Sequence, residues 1–87
     1  MRTIWKYPLD MRGWNRVPIG PDAKVVLAAI DPASGAPAIW VDLDPDTDRG
    51  ERQFAVIGTG HDIEPGAKHV GSMIDRSFVW HIFERGA

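Results

Sequence analysis

The segment Ser77-Phe78-Val79-Trp80-His81-Ile82-Phe83-Glu84 decides the fold of this chain. Alternation places Phe78, Trp80 and Ile82 on one face and Val79, His81 and Phe83 on the other, and neither face is polar. A short aromatic and β-branched run of this kind reads as a central strand. Upstream, the pair Asp75-Arg76 makes a short turn, and Lys68 to Ile74 supplies the strand before it.

The same reading extends outward, because Gly and Pro divide the chain into pieces of roughly five to nine residues, too short for ordinary helices. Arg52 to Ile57 sets Phe54 and Val56 opposite Ala55 and Ile57 and ends at Gly58-Thr59-Gly60-His61. Ala38 to Asp44 carries Ile39, Val41 and Leu43 on one face, with Trp40 and Asp42 on a half-solvated one. Lys24 to Asp31 sets Val25, Leu27 and Ala29 against Val26, Ala28 and Ile30, so both of its faces are expected to be buried. Trp14 to Ile19 is a weaker strand that Pro18 assigns to an edge. Thr3 to Leu9 opens the chain, with Trp5 and Tyr7 opposite Lys6. These are seven short strands joined in sequence, which predicts an all-β fold: one domain over residues 1–87, an antiparallel meander forming a small sandwich or a partly open barrel.

Composition narrows the function. Ten Lys plus Arg against twelve Asp plus Glu give a net charge of −2, a poor footprint for a generic nucleic-acid binder. The opening Met1-Arg2-Thr3-Ile4-Trp5-Lys6-Tyr7-Pro8 breaks the apolar run that a secretory signal needs, and no stretch reaches membrane-spanning length, so a cytoplasmic protein with no membrane partner is expected. With 87 residues and no cysteine, the core is thin and disulfides and Cys-based zinc sites are excluded. Four Trp, three Phe and one Tyr exceed what so small a core absorbs, and Trp5, Tyr7, Trp14 and Trp40 are the candidates for an interface in a homo-oligomer.

Patterns that would carry catalysis fail at named positions. A calcium loop needs Gly at its sixth and Glu at its twelfth position; counted from Asp42 these are Thr47 and Gln53, and from Asp44 they are Arg49 and Ala55. The acidic run Asp42 to Glu51 then reads as a solvated turn. No Ser lies in a Gly-x-Ser-x-Gly elbow. His61, His69 and His81 are the one set from which a metal-dependent hydrolase could be built, but their spacing does not make them converge. No catalytic residue, metal or cofactor is therefore assigned. Gly58, Thr59, Gly60 and His61 form the candidate ligand site, because two glycines leave backbone N–H groups accessible to a phosphate. The dinucleotide fingerprint itself fails, with Ile63 where a third Gly belongs and Pro65 where a helix should follow. Arg2, Lys6, Arg12 and Arg16 cluster near the N-terminus and would assist a small nucleotide.

Ile4-Trp5-Lys6-Tyr7-Pro8-Leu9, Asp44-Pro45, Gly58-Thr59-Gly60-His61 and Phe78-Val79-Trp80-His81-Ile82-Phe83-Glu84 together resemble a family of small phage and prophage proteins across nearly the whole chain. Its members open on an Ile-Trp-Lys-Tyr strand, pass a Pro-x-Gly-Ala-Lys turn, rearranged here to Gly20-Pro21-Asp22-Ala23-Lys24, and close on a Phe-His-x-Phe-Glu strand. The resemblance transfers no catalytic residue. It implies an accessory protein of the infected bacterial cell that is not an enzyme and acts by binding a host protein, including a defence component. A sponge for a nucleotide signal and the metal-dependent hydrolase are the alternatives.

Overall fold

The computed structural model describes residues 1–86, and among them all regular structure is β. Seven strands follow in order: β1 Thr3–Pro8, β2 Asn15–Val17, β3 Lys24–Ile30, β4 Pro37–Leu43, β5 Arg52–Gly58, β6 Lys68–Asp75 and β7 Phe78–Glu84. They form two antiparallel sheets, β1-β4-β3 and β2-β5-β7-β6, packed as an open sandwich and not closed into a barrel. Of the two architectures that the sequence allows, the sandwich is the one adopted, but the expected meander is not: only β3–β4 and β6–β7 pair strands that are consecutive in sequence, because the chain crosses between the sheets after β1, β2 and β4.

Period-two alternation builds the core. Ile39 and Val41 of β4, Phe54 of β5 and Ile82 of β7 are all fully buried between the sheets, joined by Leu43, Val56, Met73 and Val17. Burying each large apolar side chain contributes about 1.5–3 kcal/mol, so this layer sets which face of each strand turns inward. β7 lies between β5 and β6, as its two apolar faces require. β2 is an edge strand of three residues that stops before Pro18.

Two strands depart from simple alternation. β3 was expected to bury both faces, but it lies at a sheet edge, and its register against β4 shifts between Val25 and Leu27. The bulge at Val26 turns Val25, Ala28 and Ile30 toward the core and leaves Val26 and Leu27 exposed. A second shift lies between His69 and Gly71 of β6. A side chain at Gly71 would place its Cβ 3.0 Å from the Ala28 Cβ, so glycine lets β6 lie close against β3. The β6–β7 turn falls on Arg76 and Ser77, one residue later than the sequence suggests, with Arg76 at φ 58°.

Arg52 ties the sheets together where the chain passes from β2 to β3. Its Nε and Nη2 donate to Glu84 Oε2 and Oε1 at 2.6 and 2.8 Å, and its Nη1 donates to the Gly20 and Ala23 carbonyls at 3.0 and 2.7 Å. A bidentate carboxylate pair plus two carbonyl acceptors uses the planar fork of arginine as no lysine can. Gly20 belongs to the same junction, since a Cβ there would stand 2.6 Å from the Arg49 carbonyl oxygen.

Arg52→Ala is expected to lower stability by about 2–3 kcal/mol, because charged hydrogen bonds to Glu84 and two carbonyls are lost together. Arg52→Lys should recover only part of this, and urea unfolding of the three chains measures it. A pH dependence follows from four carboxyls held below their ordinary range: Asp31 by the Lys6 ammonium, Asp42 by Arg2, Asp44 by the Asp46 amide, and Glu64 by Arg85. Lowered folded-state values mean that their stabilisation is complete above the unfolded range near pH 4 and is lost as pH falls through the folded values. The urea midpoint should be flat from neutral pH to about 5 and then fall, less steeply in Asp31→Asn, which also starts lower.

Candidate functional site

The outer face of the β5-β7-β6 sheet gathers the polar chemistry of the chain. Cross-strand register places Ser72 opposite His81 and His69 opposite Phe83. The bulge at Val70 brings His69 onto the same face as Ser72, which simple alternation would have denied it. Thr59, just past the end of β5, reaches this face from the other side.

These groups form a continuous chain. Thr59 Oγ1 donates to the Val79 carbonyl at 3.1 Å and lies 3.0 Å from His81 Nε2. Ser72 Oγ lies 2.9 Å from His81 Nδ1 and 2.9 Å from His69 Nε2. The Val79 carbonyl can only accept, and when His81 is neutral this sets the direction of every link. Thr59 gives its proton to Val79 and so accepts from His81 Nε2–H. Neutral His81 then accepts at Nδ1 from the Ser72 hydroxyl, and Ser72 accepts from His69 Nε2–H. The His69 ring also meets Phe83 edge-on, with centroids 5.4 Å apart.

A cleft of about 220 Å³ opens beside His81. Ile57, Ile63 and Phe83 supply its apolar walls, and Thr59, His61 and His81 its polar rim. Ser72 and His81 have the nucleophile-and-base relation of a hydrolase. The cleft, however, lies on the Thr59 side of the imidazole, so a group seated there meets the rim and not the Ser72 hydroxyl.

Gly58, Thr59, Gly60 and His61, the candidate ligand site of the sequence analysis, border this cleft. Their backbone has another task. The His61 N–H donates to the Gly58 carbonyl at 3.0 Å, closing a turn that needs Gly60 at φ 88°. Gly58 leaves room for the His61 ring, whose Nδ1 would stand 3.1 Å from an added Cβ. The Thr59 hydroxyl, one of the donors foreseen for a phosphate, is committed to Val79, and the His61 amide of the same loop is committed to Gly58. Three of the four N-terminal cations are also paired: Arg2 with Asp42, Lys6 with Asp31 and Arg16 with Glu51.

The aromatic candidates do not form one platform. Trp5 shares a face with Val41, Trp40 shares the opposite face with Lys6 and Leu27, and Trp14 lies under the Arg85 guanidinium at 4.9 Å. Trp80 packs against the core. The histidines do not make a metal centre either: among the described residues no three His, Cys, Asp or Glu side chains are grouped to hold an ion. In the acidic run, the Asp44 carbonyl accepts from the Thr47 and Asp48 amides, as a turn does. The groove of about 420 Å³ beside it is walled by charged side chains, of which Arg2 and Asp42 pair with each other. Asp48 has both carboxylate oxygens buried without a hydrogen-bond partner, and the field of Arg52 offsets part of that charge.

Over residues 1–87 the chain matches the family described as a domain of unknown function, DUF7352. The chain belongs to the DUF7352 family. No curated protein and no solved structure matches it. Nor is any helix of the described residues long and apolar enough to cross a membrane. For this DUF7352 domain, then, the site rests on its own geometry. Ser72 is the residue that sequence reading missed. The signal available was the tight β6–β7 turn, which pairs Ser72 with His81 once its position is known.

Thr59→Val keeps the shape of the side chain and removes the hydroxyl that orients His81. The neutral imidazole of the native protein is expected to be protonated at Nε2, and that of the variant to become a mixture of tautomers, with the fold unchanged. Imidazole nitrogen chemical shifts measure both.

Proposed function

We propose that this domain is a phage or prophage accessory protein that acts by binding a host component, a defence component included, and not by catalysis. The observation that carries the reading is the hydrogen-bonded face of His69, Ser72, His81 and Thr59 beside the apolar cleft. Side chains already held in one arrangement lose little entropy on binding, and an apolar pocket with a few polar groups at its rim is the usual form of a recognition site. In this reading an apolar side chain of the partner enters between Ile57, Ile63 and Phe83, and His61 and His81 hydrogen-bond to its polar neighbours. Phage origin is supported by the resemblance of the opening, loop and closing segments. Self-association belongs to the same proposal.

The test is capture from a bacterial lysate with the tagged full chain and with Ile63→Glu. Ile63 is 48% exposed, so the variant is expected to keep its fold, which circular dichroism checks. One specific protein should be retained by the native chain and held about tenfold more weakly by the variant, a difference near 1.4 kcal/mol. Equal recovery by both chains, or specific recovery by neither, overturns the proposal.

A further inference from the structure

Each of the two sheets ends in two edge strands, and three of the four edges are blunted. β2 is three residues long and is followed by Pro18. β3 and β6 each carry a bulge and pack against one another. Short edges, bulges and covering elements are the devices by which sheets avoid pairing with another chain. β1 is twice as long as β2 and has no bulge; of the other devices it carries one lysine, Lys6, whose charge is already held by Asp31, and a proline, Pro8, only as its last residue. It is regular over its whole pairing with β4, and β4 is the strand against which it packs extensively.

The direction of its unpaired groups can be read from one bond. The Leu9 amide donates to the Pro37 carbonyl at 2.9 Å, in the register that continues from Thr3↔Leu43 through Tyr7↔Ile39. Since a strand turns alternate residues to opposite edges, Thr3, Trp5 and Tyr7 also direct their N–H and C=O groups toward β4. Ile4, Lys6 and Pro8 direct theirs outward, as Arg2 does just before the strand. Pro8, which has no N–H, thus falls where the ladder to β4 loses nothing.

We propose that β1 is the self-association edge of this protein: a second copy of the chain adds its β1 antiparallel, with Trp5 opposite the partner's Trp5 across a two-fold axis. This rests on the self-association part of the proposed function and names its surface. In this register the Ile4 and Lys6 amides donate to the partner's Lys6 and Ile4 carbonyls, and the Arg2 amide donates to the partner's Pro8 carbonyl. Every outward N–H from Arg2 to Lys6 is then used. Charge selects this register over its neighbours. Moving the axis to Ile4 sets Arg2 opposite the partner's Lys6, and moving it to Lys6 sets two lysines opposite each other; like charges in that position are destabilising. With the axis at Trp5, Ile4 lies opposite Lys6, and the Lys6 ammonium keeps its own Asp31 at 2.6 Å. The Trp5 pair occupies a non-hydrogen-bonded site, where cross-strand side chains approach most closely. The ring that is 48% exposed in one chain gains a partner there.

The full chain provides the test. Light scattering during gel filtration should give the mass of two chains for the native protein and one for Ile4→Pro, whose missing amide faces away from β4, with the same circular dichroism. Because the chain has no cysteine, Trp5→Cys introduces a single thiol at the axis, and mild oxidation should link it to its own copy far faster than Met11→Cys. If Ile4→Pro does not fold, the cysteine pair decides. A native protein of one-chain mass, a dimer that survives Ile4→Pro, or linkage no faster at position 5 than at position 11 overturns the inference. Lysate capture that depends on Ile63 stands or falls separately from these readouts.

Discussion

The grip of Arg52 on Glu84 and on the Gly20 and Ala23 carbonyls is the contact on which the sandwich depends. A chain that builds two sheets from seven strands must cross between them, and crossing exposes backbone groups that no ladder satisfies. Here β2 belongs to one sheet and β3 to the other, and the intervening turn is held to β5 and β7 by one guanidinium. Ile19 and Ala23, which flank that turn, are buried as a consequence. The lone carboxylate of Asp48 is tolerated in the same place because Arg52 supplies opposite charge nearby. Burial and that carboxylate also push the Tyr7 phenol upward, so the junction reaches β1 as well.

The two bulges do more than bend strands. At Val26 the extra residue lets β3 keep Val25, Ala28 and Ile30 in the core while it passes along the edge of its sheet. At Val70 it transfers His69 to the outer face, where Ser72 separates it from His81. Without that transfer the hydrogen-bonded chain would begin at Ser72. The same two irregularities blunt the edges that meet between the sheets and leave β1 as the regular one.

The relay is directional because it ends on a carbonyl. With His81 neutral, one main-chain acceptor at Val79 sets the direction through two hydroxyls and two imidazoles, and the result is a hydrogen-bonded polar strip next to an apolar cleft. Membership of the DUF7352 family assigns no chemistry to this strip. Its position on an open sheet face is suited to contact with another surface, and the cleft beside it is sized for a side chain.

Much of the fold was legible in the residues themselves. Alternation identifies β4, β5 and β7 as strands, and for β4 also the face that Ile39 and Val41 bury, because one apolar face leaves a strand one stable orientation; β5 and β7 are apolar on both faces, so that Phe54 and Ile82 turn inward is decided by the packing of the sheets. Pro18 marks β2 as an edge, and Gly60 marks a turn with positive φ. What the sequence could not reveal were the displacements of one residue. Gly71 is a local sign of the bulge in β6, since an isolated glycine within a strand pattern points to one, but nothing distinguishes Val26 from Val25 and Leu27, so the burial of both faces of β3 was a sound inference from alternation that the Val26 shift overturned. For the same reason the clustering of His69, Ser72 and His81 was invisible, since it depends on the register of β6 against β7 and on Thr59 arriving from β5. By itself the sequence determined which residues alternate, where the chain turns and which catalytic patterns it lacks, because these are local properties of the backbone and its side chains. Tertiary structure alone decided the register, the bulges and the unpaired edge, because each is set by what lies on the neighbouring strand.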